Sequence, residues 1–283
     1  MIFNVASAFS WNWQSLLLFR VLLGAGLGLN AATIVVYAAE VAPAYIRGGL
    51  AVSWQMFTAF GIFIGFVVNI AVYNVDSPWR WQLAFPAIPV MPLAIFVWTC
   101  PESPAYLIKR GRDYDAAFLS LRRLRNTDLQ AAKEVYGSYV QHWSNHATLP
   151  SPSLVLKLIE LFSVPRLRRA SLASFTVMLS QQLCGINIIA FFSSMIFVDS
   201  GLSRFQALLA STVFGFVNFL GAFPAVWSME SLGRSLLLLT LPPMAVTMLA
   251  AGLTFRMPDE SSSRFGLLAV LIYVFCALYS PGT

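Results

Sequence analysis

Residues 170–198 read ASLASFTVMLSQQLCGINIIAFFSSMIFV. A helix that crosses a bilayer needs about 20 mostly apolar residues, and this run supplies them without one charged side chain. Three amides interrupt it: Gln181, Gln182 and Asn187. On an unbroken helix Gln181 and Gln182 stand about 100° apart, and Asn187 about 120–140° from either. At least one then faces lipid unless the helix is central or interrupted. Gly185, between the amides, permits an interruption.

Working outward, comparable runs occur at 13–37, 50–73, 81–100, 205–229 and 235–255. A further run begins near Phe265 and continues to Thr283, and residues 1–9 look like the tail of another. That makes six complete spans, one partial span and a stub. The composition agrees, with 58% hydrophobic and 11% charged residues, against about 25% charged in soluble domains. A water-soluble fold of this length could not hide so much apolar surface. The sequence predicts an all-α polytopic membrane protein.

Net charge is +6, and eleven of the eighteen Lys and Arg lie between Lys109 and Arg169. Positive residues collect on the cytoplasmic side, so this island is read as cytoplasmic. Counting outward, the 38–49 and 230–234 loops also lie inside, and the 74–80, 199–204 and 256–264 loops outside. Trp11, Trp13, Trp79, Trp81 and Trp98 stand near span ends, where interfacial anchors belong. The island itself reads as short surface helices. Ser103-Pro104 is a helix-start signature, Asp113 can cap a second helix, and Thr127 with Gln130 forms a capping box before a third. The predicted organisation is a partial first bundle (1–103), a cytoplasmic helical linker (104–169) and a partial second bundle (170–283). No nucleic-acid recognition motif accompanies the basic stretch. Cys100, Cys184 and Cys276 sit in or beside apolar runs and read as reduced thiols.

Polar residues inside the runs are the informative ones, because each is costly in lipid. Arg20 faces protein or water, or snorkels to the nearby outer interface. Gly24 and Gly28 permit close helix approach. Gln55 either bonds a neighbouring helix or faces a cavity. Asn218 shares a face with Ser211 and Gly215. Gln181, Gln182 and Asn187 straddle Gly185; discontinuous helices in transporters often line binding sites, and amides suit neutral polyols because each both donates and accepts. Polar glue between helices is the other reading of the set. At the inner surface stand Glu40-x6-Arg47-Gly48, Pro101-Glu102-Ser103-Pro104 and Glu230-x-x-Gly233-Arg234.

These segments resemble the sugar porter family of the major facilitator superfamily, especially its fungal branch. The matching pieces are Arg20-x3-Gly24-x-Gly26-x-Gly28, Tyr37-x-x-Glu40-x-x-Pro43-x3-Arg47-Gly48, Gln55, Pro101-Glu102-Ser103-Pro104, Gln181-Gln182-x-x-Gly185-Ile186-Asn187 and Gly233-Arg234. The resemblance implies two six-helix bundles, of which this chain supplies the end of helix three through part of helix ten. It implies sugar contacts for Gln55, Gln181, Gln182, Asn187 and Asn218, and an inner charge network of Glu40, Arg47, Glu102, Glu230 and Arg234. It matches Arg20 to an arginine associated with the proton-coupling carboxylate of symporters.

The sequence departs from the family at Glu230, where Asp is usual, at Ser235, and at Ala105-Tyr106 after the proline signature. Helices one, two, eleven and twelve are not represented, so the chain is expected to be a fragment and inactive alone. The implied function is transport of a sugar or polyol by alternating access, in a multi-pass protein of the plasma membrane. Uniport and proton symport both stay open. A non-transporting sugar sensor of the same fold is the alternative. No cofactor is expected. A membrane enzyme would need an intramembrane dyad or metal set, whereas His142 and His146 fall in the linker and read as a solvated pair.

Overall fold

A computed structural model describes residues 2–43, 46–111, 113–146, 154–232, 234–256 and 262–282. Among them the backbone forms fourteen helices. The stub is α1 (Ile2–Ala8); the first two spans are α2 (Trp13–Val41) and α3 (Arg47–Ala71). The third predicted span is two helices, α4 (Pro78–Ala84) and α5 (Ala87–Val97). Pro86 stands at the break, where it lacks the N–H that would bond back to the preceding turn; Phe85 before it is still helical, at φ −51° and ψ −43°.

The linker is α6 (Pro104–Gly111), α7 (Tyr114–Leu124), α8 (Asp128–His146) and α9 (Leu154–Ser163). Asp113 caps α7 as its sequence predicts, Oδ1 accepting from the Ala116 amide at 2.9 Å. Thr127 Oγ1 accepts from the Gln130 amide at 3.3 Å at the start of α8. The run 170–198 is α10 (Pro165–Leu183) and α11 (Ile186–Asp199), followed by α12 (Arg204–Leu232), α13 (Arg234–Thr254) and α14 (Ser262–Gly282).

Five helical stretches among the described residues are long and apolar enough to cross a bilayer: Trp13–Val41, Gly48–Ala71, Pro78–Val97, Pro165–Asp199 and Arg204–Pro224. Leu239–Thr254 and Arg264–Ser280 are shorter apolar helices.

Two compact units divide the chain. The first comprises Met1–Ala31, Tyr45–Pro92 and Ser180–Thr283; the second comprises Ala32–Ala44 and Leu93–Leu179. In the first unit α3 and α12 pack antiparallel through aromatic pairs. Phe60 meets Phe219 at 5.1 Å between centroids, Phe63 meets Phe216 at 5.5 Å, and Phe66 meets Phe214 at 6.3 Å. Gly215 makes this approach possible: a Cβ there would stand 2.9 Å from Phe66 Cδ2 and 3.0 Å from Phe63 Cα. Helices in lipid associate through such close packing rather than a hydrophobic driving force. A core of Ile186, Phe197, Phe214, Leu268 and Phe275 joins α11, α12 and α14. In the second unit Ala117 and Ala131, both fully buried, seat α7 and α8.

Candidate functional site

The amide set falls at the break between α10 and α11. Gly185 adopts φ +85°, in the left-handed region, and a Cβ there would also stand 3.0 Å from Met248 Cε. The helix resumes at once, with the Ile188 amide bonded to Gly185 O at 3.1 Å. The break turns the amides to different partners. Gln181 Nε2 lies 3.5 Å from Tyr279 OH on α14, at the limit of a hydrogen bond. Asn187 Nδ2 donates to Gln182 Oε1 at 2.6 Å, bridging the break.

Gln182 and Asn187 are both exposed. Their mutual bond uses one acceptor and one hydrogen, leaving the Gln182 NH2 group and Asn187 Oδ1 available. A donor beside an acceptor is what a hydroxyl, itself both donor and acceptor, can engage.

Asn218 stands differently. It is buried at 3% exposure, and its Oδ1 accepts from Ser280 Oγ at 2.7 Å. Ser280 Oγ also lies 3.0 Å from Asn218 O and 3.0 Å from Cys276 O; its single proton serves one acceptor at a time. This group knits α12 to α14. Gln55 is half-buried on α3, three helical turns before Phe66 and on the same side. Arg20 is exposed on α2, a helix without a buried residue.

The residues expected at the inner surface divide. Glu40 Oε2 accepts from Ser103 Oγ, and Tyr37 OH donates to Pro101 O at 2.7 Å. Glu102 is exposed, while its carbonyl accepts from Ser120 Oγ at 2.6 Å. The side chains of Arg47, Glu230, Arg234, His142 and His146 lie outside the described residues.

One polar centre was not singled out from the sequence. Arg125, its side chain 3% exposed, holds Glu134 in a two-pronged pair, Nε to Oε1 at 2.8 Å and Nη2 to Oε2 at 2.7 Å. Its Nη1 donates to Val41 O at 3.1 Å. The signal was an arginine at the α7–α8 junction with a carboxylate nine residues on, but Arg122 and Arg123 beside it are exposed and look alike in sequence. All three cysteines are free thiols. Among the described residues no three His, Cys, Asp or Glu stand together as a metal site would require.

The model of the family described as "Sugar (and other) transporter" matches residues 1–283. Sugar transport protein MST2 of Oryza sativa subsp. japonica is 31% identical over 283 residues, covering 96% of this chain and 52% of the relative. The arabinose-proton symporter of Bacillus subtilis (strain 168) is 27% identical, covering 99% of this chain and 60% of the relative. Among solved structures, a partially occluded inward-open conformation of the xylose transporter XylE from E. coli superposes with TM-score 0.76 at 25% identity, covering 99% of this chain and 65% of that one. The chain thus spans about half the length of the curated relatives it matches.

Proposed function

Because this chain belongs to the sugar (and other) transporter family of the major facilitator superfamily, we propose that it supplies the broken-helix half-site of a carrier for a sugar or related polyol. The carrier works by alternating access between two bundles at the plasma membrane. The family and fold are those of transporters rather than enzymes. The observation that carries the reading is the exposed Gln182–Asn187 amide pair bridging the break at Gly185. It offers a neutral hydroxyl a donor and an acceptor without any charge that would select an ion. Gln181 turns instead toward Tyr279 on α14, and Gln55 on α3 is a further amide in the same unit. Asn218 acts in this reading through the α12–α14 contact, holding the walls of the site rather than touching ligand.

Protons enter as a coupling ion through the resemblance at Arg20. The relatives include an arabinose-proton symporter and a proton:xylose symporter. The island 104–169 lies in the cytoplasm in this reading, supported by its basic residues near both membrane ends. Glu40, Arg47, Glu102, Glu230 and Arg234 then form the inner gating charges.

Cys184 offers a direct test. It is half-buried at the same break, two residues after Gln182, with its thiol 2.9 Å from the backbone Gln181 O. In the complete carrier, alkylation of Cys184 is expected to slow when a transported hexose or pentose is bound. An alkylation rate indifferent to every sugar that the carrier moves would remove the site from this break.

A further inference from the structure

Helix α2 carries Arg20 and Glu40 yet buries no residue. Near its C-terminal end it is held by three separate bonds, two to the segment that precedes the linker and one to the linker itself. Tyr37 OH reaches Pro101 O, Glu40 accepts from Ser103, and the carbonyl of Val41, the last residue of the helix, accepts from Arg125 Nη1 at 3.1 Å. The third bond differs from the others because its donor is a buried charge.

We propose that Arg125 is a positioning residue, a single buried guanidinium that pins the inner end of α2 to the linker and thereby sets where Glu40 stands. The α7 helix ends at Leu124, and Arg125 turns the chain with extended backbone, φ −124° and ψ 153°. Its side chain is thereby directed back beneath α2. Glu134, from the second turn of α8, supplies the counter-charge that burial of an arginine demands.

The planar fork divides the work. Nε and Nη2 take the two carboxylate oxygens, while Nη1 reaches Val41 O and, at 3.2 Å, Leu124 O. A cation at a helix C-terminus also meets the negative end of the helix dipole. Lysine has no such fork and cannot hold a carboxylate bidentately while reaching the carbonyls. By contrast, Arg122 and Asp128, 3.0 Å apart, are both largely exposed, and such pairs contribute little.

The inference takes from the proposed function only Glu40 as a gating charge. Its readout is side-chain protection in this chain, not transport, so its failure and that of the transport reading are distinguishable. Ala42, one residue beyond the pin, is 2% exposed. In membranes carrying the full chain with Ala42→Cys, maleimide labelling of the residue-42 peptide, read by mass spectrometry, should be slow. Arg125→Ala and Arg125→Lys should each speed it about tenfold or more, as loss of a charge-assisted bond shifts a local opening equilibrium. The swap of Arg125→Glu with Glu134→Arg restores an ion pair but not the carbonyl cap, and labelling should stay fast. Slow labelling in Arg125→Lys, or protection regained in the swap, would reduce Arg125 to an ordinary ion pair and overturn the proposal. Should the Arg125 variants fail to accumulate, the isosteric Glu134→Gln decides: faster labelling supports the pin and unchanged protection overturns it.

Discussion

Asn187 Nδ2 donates to Gln182 Oε1 at 2.6 Å across the break at Gly185. An unbroken helix would point these two amides about 140° apart. The bond therefore exists because the helix is interrupted, and the interruption exists because residue 185 is glycine. Local backbone freedom, a side-chain pair and the candidate binding surface form one chain of cause.

Gly185→Ala tests the first link. A side chain at φ +85° is strained by about 1–2 kcal/mol. The Met248 methyl 3.0 Å away is the end of a flexible side chain and can move aside, so the backbone term decides. The variant is expected to unfold at lower temperature in detergent, with weaker sugar binding in the complete carrier. An unchanged melting temperature would mean that the break does not depend on glycine.

Gly215→Leu tests the α3–α12 seam. A larger side chain must displace Phe66 and the Phe63 backbone, and overpacking of this kind costs about 1–3 kcal/mol. Cysteines replacing Phe60 and Phe219, whose rings lie 5.1 Å apart, are expected to cross-link in the parent and lose that cross-link in the variant. Equal cross-linking would show that the two helices do not rely on this close approach.

Much of this was legible in advance. Apolar run lengths located the long helices, and Asp113 and Thr127 marked helix starts where the structure has them. Gly185 marked the break because amides on every side of a lipid-facing helix are costly. The division of the third span was written in Pro86 but hidden by the apolar run around it. Arg125 was not legible: three arginines within four residues look equivalent until tertiary packing buries one. The bond from Ser280 to Asn218 joins residues 62 apart in sequence, so no local pattern announces it.

Orientation has its own measurement. Leu129 on α8 is 82% exposed, so a cysteine there is reachable from whichever side the linker occupies. An impermeant maleimide applied to intact cells is expected to leave Leu129→Cys unlabelled and to label it after permeabilisation. Labelling in intact cells would invert the topology.

The inner charges give a population effect. In the complete carrier Glu102→Gln or Arg234→Gln is expected to shift the resting state toward inward-open and slow transport, leaving sugar affinity nearly unchanged. A surface charge typically contributes about 0.2–1 kcal/mol through its ion pairs, so the shift should be only a few fold. Inside-only accessibility of a cavity cysteine reads it. Parental accessibility and parental transport in both variants would make these charges ordinary surface groups.

The central claim is that the Gln182–Asn187 pair holds a sugar, and equilibrium binding of a labelled transported sugar to the complete carrier tests it most directly. Each lost hydrogen bond to a neutral ligand contributes about 0.5–1.5 kcal/mol. Gln182→Ala and Asn187→Ala should therefore each weaken binding by several fold with membrane insertion intact. Because the two amides bond each other, the double variant should lose less than the sum of the single losses. Parental affinity in both single variants, in protein that inserts normally, would contradict the account and leave the pair as glue between α10 and α11.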